Sequence, residues 1–207
     1  IEVGPPDASL DFTNTNEEAY YRSVNGYQQF MAGNASRKNI IYAGSNSGIL
    51  HAINATTGKE EWGFIPPFIG ALLPQIVNKG YDGKIDQTTV DGVQTGSGGT
   101  NPIFGVDGSP VVHDVLIEGW DPTGAEQGKA WRTILFVPYG RGGAGFSVLD
   151  VTNPLVKSNK GPIHMFSVFN DQINKRILVA DAEGNIESRP YNSGFSSYLK
   201  SEEGLVA

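Results

Sequence analysis

Three histidines and a scatter of serines and carboxylates are the residues of this 207-residue chain whose types could do chemistry. His51 stands on a predicted strand beside Ala52 with no second ligand near it. It reads as a cross-blade hydrogen-bonding residue rather than a metal ligand. His113 and Asp114 are consecutive on a predicted strand, so they point to opposite faces and cannot act as an acid–base pair. His164 has no poised nucleophile, and Ser109, just before Pro110, lies in no nucleophile-elbow pattern. Asp82, Asp86 and Asp91 lack the alternate spacing that gathers carboxylates on one calcium, and read as solvated loop residues. The run Gly140 to Gly145 (GRGGAG) looks like a phosphate loop, but such loops open onto a helix N-terminus. A strand follows here, Phe146 to Val151, which leaves a wide β-turn with Arg141 at its tip. The chain has no cysteine, so disulfides, thiolate catalysis and cysteine-ligated zinc are excluded. No catalytic, cofactor-binding or metal-binding residue is assigned.

The bulk numbers narrow the class. At 39% hydrophobic and 18% charged, the chain is too apolar for a disordered tail. A net charge of −7 argues against nucleic-acid binding, which needs clustered Lys and Arg; Arg37-Lys38 reads as a solvated strand entry. No run reaches the roughly 18 apolar residues of a membrane span. The densest apolar stretch, Phe64 to Val77, is broken by Pro66, Pro67 and Pro74. Ile1 reads as the start of a processed, trimmed or partial chain, so the lack of a visible signal peptide carries no weight. The sequons at Asn34-Ala35-Ser36 and Asn54-Ala55-Thr56 are not assigned as glycosylated.

The elements that position these residues come from a repeat. The unit Asn39 to Phe64 (NIIYAGSNSGILHAINATTGKEEWGF) reads as three strands joined by turns with glycine at the demanding positions, Gly48 and Gly58. A second copy runs through Ile134 to Gly140 and Gly145 to Pro154, where Asp150-Val151-Thr152 replaces Asn54-Ala55-Thr56. A third runs from Arg176 to Glu187, with Gly184 in the place of Gly48. The last two start about 40 residues apart, a blade period for short antiparallel strands. The expectation is an all-β chain, a partial β-propeller of about three blades. Strands are expected near 39–43, 48–54, 60–65, 109–117, 132–138, 145–151, 163–169, 176–180 and 185–189. Residues 1–38 read as an N-terminal extension without blade pattern, holding a short helix within Glu17 to Met31. Residues 39–207 read as the blades, interrupted by a glycine-rich insertion at 78–105 that carries partner contact. Three blades cannot close a ring, so further blades of the same polypeptide, or partner chains, complete it. Trp62, Trp120 and Trp131 read as packing residues, with Trp120 the most exposed.

Two families share this pattern. Ala52 to Trp62 (AINATTGKEEW) resembles the tryptophan-docking repeat of quinoprotein dehydrogenases, in which the Trp packs on the next blade. The longer resemblance is to the PilC/PilY family of type IV pilus tip-associated proteins. It rests on Tyr27-Gln28-Gln29-Phe30, Arg37, Ile41 to Ala52, Val106 to Val112, Trp131-Arg132-Thr133, Gly140 to Gly145 and Leu149 to Pro154, in the family's order. It implies a modified propeller exported to the cell surface that supports pilus extension and adhesion, with pilus subunits or surface ligands as partners. It also implies a calcium loop of closely spaced aspartates, which these residues do not contain; calcium is expected elsewhere in the full-length protein.

A non-enzymatic pilus-tip adhesin or assembly factor is the leading expectation. The alternatives are a quinoprotein dehydrogenase using pyrroloquinoline quinone and calcium, which would need more docking repeats, and a structural propeller scaffold of envelope assembly.

Overall fold

The structure, a computed structural model, describes residues 1–11, 17–71, 73, 89–90, 93–94, 104–120, 128–156 and 162–191. Its elements in chain order are β1 (Glu2–Val3), α1 (Glu17–Val24), α2 (Tyr27–Gly33), β2 (Ile40–Gly44), β3 (Leu50–Asn54), β4 (Glu60–Phe64) and α3 (Pro67–Gly70). There follow β5 (Thr89–Val90), β6 (Val93–Gln94), β7 (Val111–Glu118), β8 (Lys129–Pro138), β9 (Gly145–Asp150), β10 (Ile163–Asp171), β11 (Arg176–Ala180) and β12 (Ile186–Pro190). All pairings are antiparallel, and every strand expected from the sequence is present.

The first repeat is a four-stranded meander in the order β1-β2-β3-β4. Its two inner strands alternate strictly, with Ile40, Tyr42, Leu50, Ala52 and Asn54 buried on one face. The hairpins close where the chain needs a left-handed residue: φ is 84° at Gly48 and 68° at Gly58. Asn54 Oδ1 accepts the Thr56 and Thr57 amides at 3.0 and 3.1 Å, an Asx turn that starts the second hairpin. Asp150 Oδ1 does the same for the Thr152 amide at 2.9 Å, the physical content of the Asn54/Asp150 match.

The second sheet has six strands in the order β12-β11-β10-β9-β8-β7. The third repeat opens no sheet of its own. A tight turn, in which Asp171 holds the Asn174 amide at 3.1 Å and Arg176 Nε at 2.7 Å, folds β11 straight back onto β10. The first residues also belong to the fold: Val3 pairs with Ile40, adding a strand too short to show a period. The expected N-terminal helix is two, parted at Asn25-Gly26, where Gly26 has φ 76°.

The core lies between the two sheets. Ile40, Tyr42, Leu50 and Ala52 face Leu135, Val137 and Leu149, all at most 2% exposed. Each such large apolar side chain contributes on the order of 1.5–3 kcal/mol by leaving water. Among the described residues, no helix is long and apolar enough to cross a membrane.

Candidate functional site

The densest polar cluster sits where α2 meets the second sheet. Tyr27, the first residue of α2, is fully buried and donates its hydroxyl hydrogen to Asp114 Oδ2 at 2.5 Å. The other carboxylate oxygen accepts from Thr133 Oγ1 at 2.6 Å, and that oxygen in turn accepts from Arg37 Nη1 at 2.6 Å. Arg37 turns its remaining bonds on the chain's start, donating from Nε to the Gly4 carbonyl at 2.8 Å and also from Nη2. Trp131 closes the cluster, with its ring edge-on to Tyr27 at 4.8 Å and its Nε1 donating to Asn25 O at 2.7 Å.

The electrostatics follow from burial. Desolvation, then the Asp114 carboxylate, pushes the Tyr27 hydroxyl far above its ordinary value, so it stays a donor. Desolvation lowers Arg37, opposed by Asp114 and other nearby groups. A cavity of about 550 Å³ opens beside the cluster, lined by Arg22, Arg37, His113 and Asp114 among others. A second, of about 490 Å³, adds Glu17, Tyr21 and Trp131. His113 is exposed while Asp114 is tied inward to Tyr27, so the two diverge as their adjacency on a strand requires.

A second cluster is made of backbone. Residues 44–48, 104–108 and 140–145 lie against one another so closely that a Cβ on Gly142 would overlap the Gly105 carbonyl oxygen, and one on Gly105 would overlap Gly48. The Val106 amide donates to Ser45 O at 3.0 Å and the Asp107 amide to Tyr139 O at 3.1 Å. The expected wide turn at GRGGAG is a single 3-10 turn, Gly140–Gly142, leading into β9. Its amides are already used: Gly142 donates to Tyr139 O at 3.0 Å, Gly143 to Gly140 O at 3.4 Å and Gly145 to Gly143 O at 2.9 Å. A phosphate loop needs those donors free. Arg141 is exposed but not bare at a tip, since its guanidinium lies over the Phe104 ring at 4.1 Å.

The other singled-out residues are accounted for locally. His51 Nδ1 is 3.0 Å from Glu60 Oε1 and Nε2 is 3.3 Å from Ser45 Oγ, all within the first sheet. Trp62 is half-buried beside Tyr42, and its Nε1 donates to Pro154 O, in the segment that follows β9, at 2.8 Å, the docking contact its repeat predicted. Trp120 departs from expectation: it is half-buried and donates to Asp150 Oδ2 at 3.0 Å, because that buried carboxylate draws a donor. Sequence reasoning missed a buried relay in which Tyr139 hydroxyl, Ser147 Oγ, Ser167 Oγ and His164 Nε2 follow at 2.8, 2.7 and 2.7 Å. Its only sequence signal is polar residues at inward positions of strands. Burial lowers the His164 pKa, opposed by the Phe166 backbone and by Asp181. Ser167 is fully buried, while His164 is half-buried. Asp82, Asp86 and Asp91 lie outside the described residues. Among the described residues, no three His, Asp or Glu side chains could share a metal ion.

Comparison with known proteins gives these clusters a family. A family model for the PilY1 beta-propeller domain matches residues 17–177. The type IV pilus biogenesis factor PilY1 of Pseudomonas aeruginosa (strain UCBPP-PA14) is 33% identical over 128 residues, 62% of this chain and 9% of that protein. The PilY1 homolog of Xylella fastidiosa is 30% identical over 154 residues, 74% of this chain and 10% of that protein. The chain thus spans about a tenth of the length of these relatives. A crystal structure of the P. aeruginosa PilY1 C-terminal domain aligns with 93% of this chain and 37% of its own, with a TM-score of 0.48 and 19% identity. With the matched region covering most of the described strands and both clusters, the chain belongs to the PilY1 beta-propeller domain family.

Proposed function

We propose that this chain is a propeller segment of a type IV pilus biogenesis factor at the cell surface, acting as adhesin or assembly factor by presenting surfaces rather than by catalysis. The observation that carries the reading is where the family's motif residues go. Tyr27, Arg37, Trp131 and Thr133 fasten the N-terminal helices and strap to the second sheet. The glycine runs knit the two sheets backbone to backbone. These residues are occupied in holding strands together. Pilus subunits or surface ligands are the partners that fit this reading, and further blades complete the ring.

Deleting the gene and scoring piliation, adhesion and twitching tests it. The expected result is loss of at least one, restored by the full-length gene; normal behaviour on all three sinks the proposal. Alcohol-dependent dye reduction by the full-length protein with pyrroloquinoline quinone and calcium would instead establish the dehydrogenase reading.

A further inference from the structure

We propose that β12 is a self-pairing edge: two copies of this protein join antiparallel along Ile186–Pro190, about a two-fold axis at Ser188. The inference concerns association of the protein with itself and stands apart from the pilus role.

The backbone comes first. Among the described residues β12 ends the six-stranded sheet, and all of its side chains are exposed. Its register on β11 runs without a shift, from Ala180 opposite Ile186 to Arg176 opposite Pro190. The flanking bonds fix which groups face which way. Asp181 donates its amide to Asn185 O, and Tyr191 donates its amide to Lys175 O, each at 3.0 Å. Bonded and non-bonded pairs alternate along an antiparallel ladder, so Glu187 and Arg189 turn their backbone groups onto β11. Ile186, Ser188 and Pro190 therefore turn theirs outward. Pro190, which has no N–H, stands where the β11 ladder asks for none. The open edge offers the amides of Ile186 and Ser188 and the carbonyls of Ile186, Ser188 and Pro190.

The side chains select the occupant. Glu187 and Arg189 share one face of β12. They already bond within the chain, Arg189 Nε donating to Glu187 Oε1 at 2.9 Å and Nη2 to Oε2 at 2.8 Å. Both stay open to water, with side chains 60% and 63% exposed. A second copy centred on Ser188 sets Ser188 opposite Ser188, and Glu187 opposite Arg189 in both directions. The Ser188 pair exchanges both backbone bonds, and each Ile186 amide meets the Pro190 carbonyl of the other copy. The Glu187–Arg189 pairs fall on the non-hydrogen-bonded sites, where facing side chains come closest. On the opposite face Ile186, 59% exposed, covers Pro190 of the second copy.

Charge also fixes the register. Outward groups must meet outward groups, so the axis can only move by whole residues. Centred on 187 it sets Glu187 against Glu187, and centred on 189 it sets Arg189 against Arg189. Like charges directly opposite destabilise a sheet. A proline and charged side chains keep unrelated strands off an edge. Here they leave one register, and it is self-complementary, which is why the occupant is a second copy.

The test uses the native full-length protein with Ser188→Cys, and Ile186→Cys as the control on the same edge. Facing Cα atoms of a bonded antiparallel pair lie about 5.5 Å apart, within disulfide reach. The two copies of position 186 would be offset by roughly 13–14 Å, beyond it. Linked peptides formed under mild oxidant are identified by mass spectrometry. Position 188 should link to position 188 of the second copy at least about tenfold faster than 186 links to 186. Adding Glu187→Arg should slow that linkage at least about fivefold, and adding Arg189→Glu to it should restore the rate. Equal rates at 188 and 186, or a double variant that fails to recover, overturn the proposal. Linkage of position 188 to any other peptide gives this edge a different occupant and overturns it too. Should Ser188→Cys fail to fold, sedimentation of the protein without introduced cysteines decides. It must show a dimer that dissociates on dilution and is lost with Glu187→Arg; a monomer throughout, or a dimer indifferent to that substitution, overturns the self-pairing edge.

Discussion

Two tyrosines show how much a buried hydroxyl's partner matters. Tyr27 gives its hydrogen to Asp114, whereas the Tyr42 hydroxyl is buried with no hydrogen-bond partner among the described residues. Tyr27→Phe should destabilise by about 1.5–3 kcal/mol, as expected for a bond to a charged acceptor, while Tyr42→Phe should be neutral or stabilising. Paired denaturant melts decide; equal costs would mean the Asp114 bond contributes nothing special. His164 gives a pH signature. Its folded pKa lies below the ordinary 6.5 because burial disfavours the imidazolium. Its contribution to stability is therefore full above about 6.5 and declines as pH falls below it, since the unfolded chain then binds the proton more readily. Stability measured from pH 7.5 to 5 should fall more steeply for wild type than for His164→Gln; parallel curves would contradict this. At this scale the sequence was informative about what residues do not do. The adjacency of His113 and Asp114 already implied divergence, but the Tyr139–Ser147–Ser167–His164 relay joins β9, β10 and the residue that follows β8, and has no local pattern.

At the scale of elements, legibility followed period. Strands β2, β3 and β8 alternate cleanly, and these and the wholly buried end of β9 are bounded by turns, so they could be read directly. The two-residue β1 carries no period, and the place of β11 and β12 in the second sheet depends on a turn of side-chain bonds around Asp171. Trp62 is the element-scale prediction that was legible, because its repeat names both the docking residue and its target. Trp62→Ala removes the packing against Tyr42 and the bond to Pro154, and should cost on the order of 3 kcal/mol. A loss under about 1 kcal/mol in chemical denaturation would show that the two sheets do not depend on this contact.

At the scale of the molecule, two stacked sheets, a first segment (residues 1–11) fastened by Arg37 and a glycine-knit seam make one packed unit. The insertion at 78–105 leaves from it; within it the structure describes only the short β5–β6 hairpin and the two residues packed at the seam, Phe104 and Gly105. Replacing residues 82–101 with a short Gly-Ser linker should preserve folding while weakening attachment or assembly. Unchanged attachment and assembly would make the segment a spacer. The central claim, action with the pilus at the cell surface, is tested most directly by following the full-length protein in material sheared from cells. The account predicts that it is present in the sheared fraction of piliated cells and lost from that fraction in cells lacking the major pilin. The same distribution in both strains would contradict it.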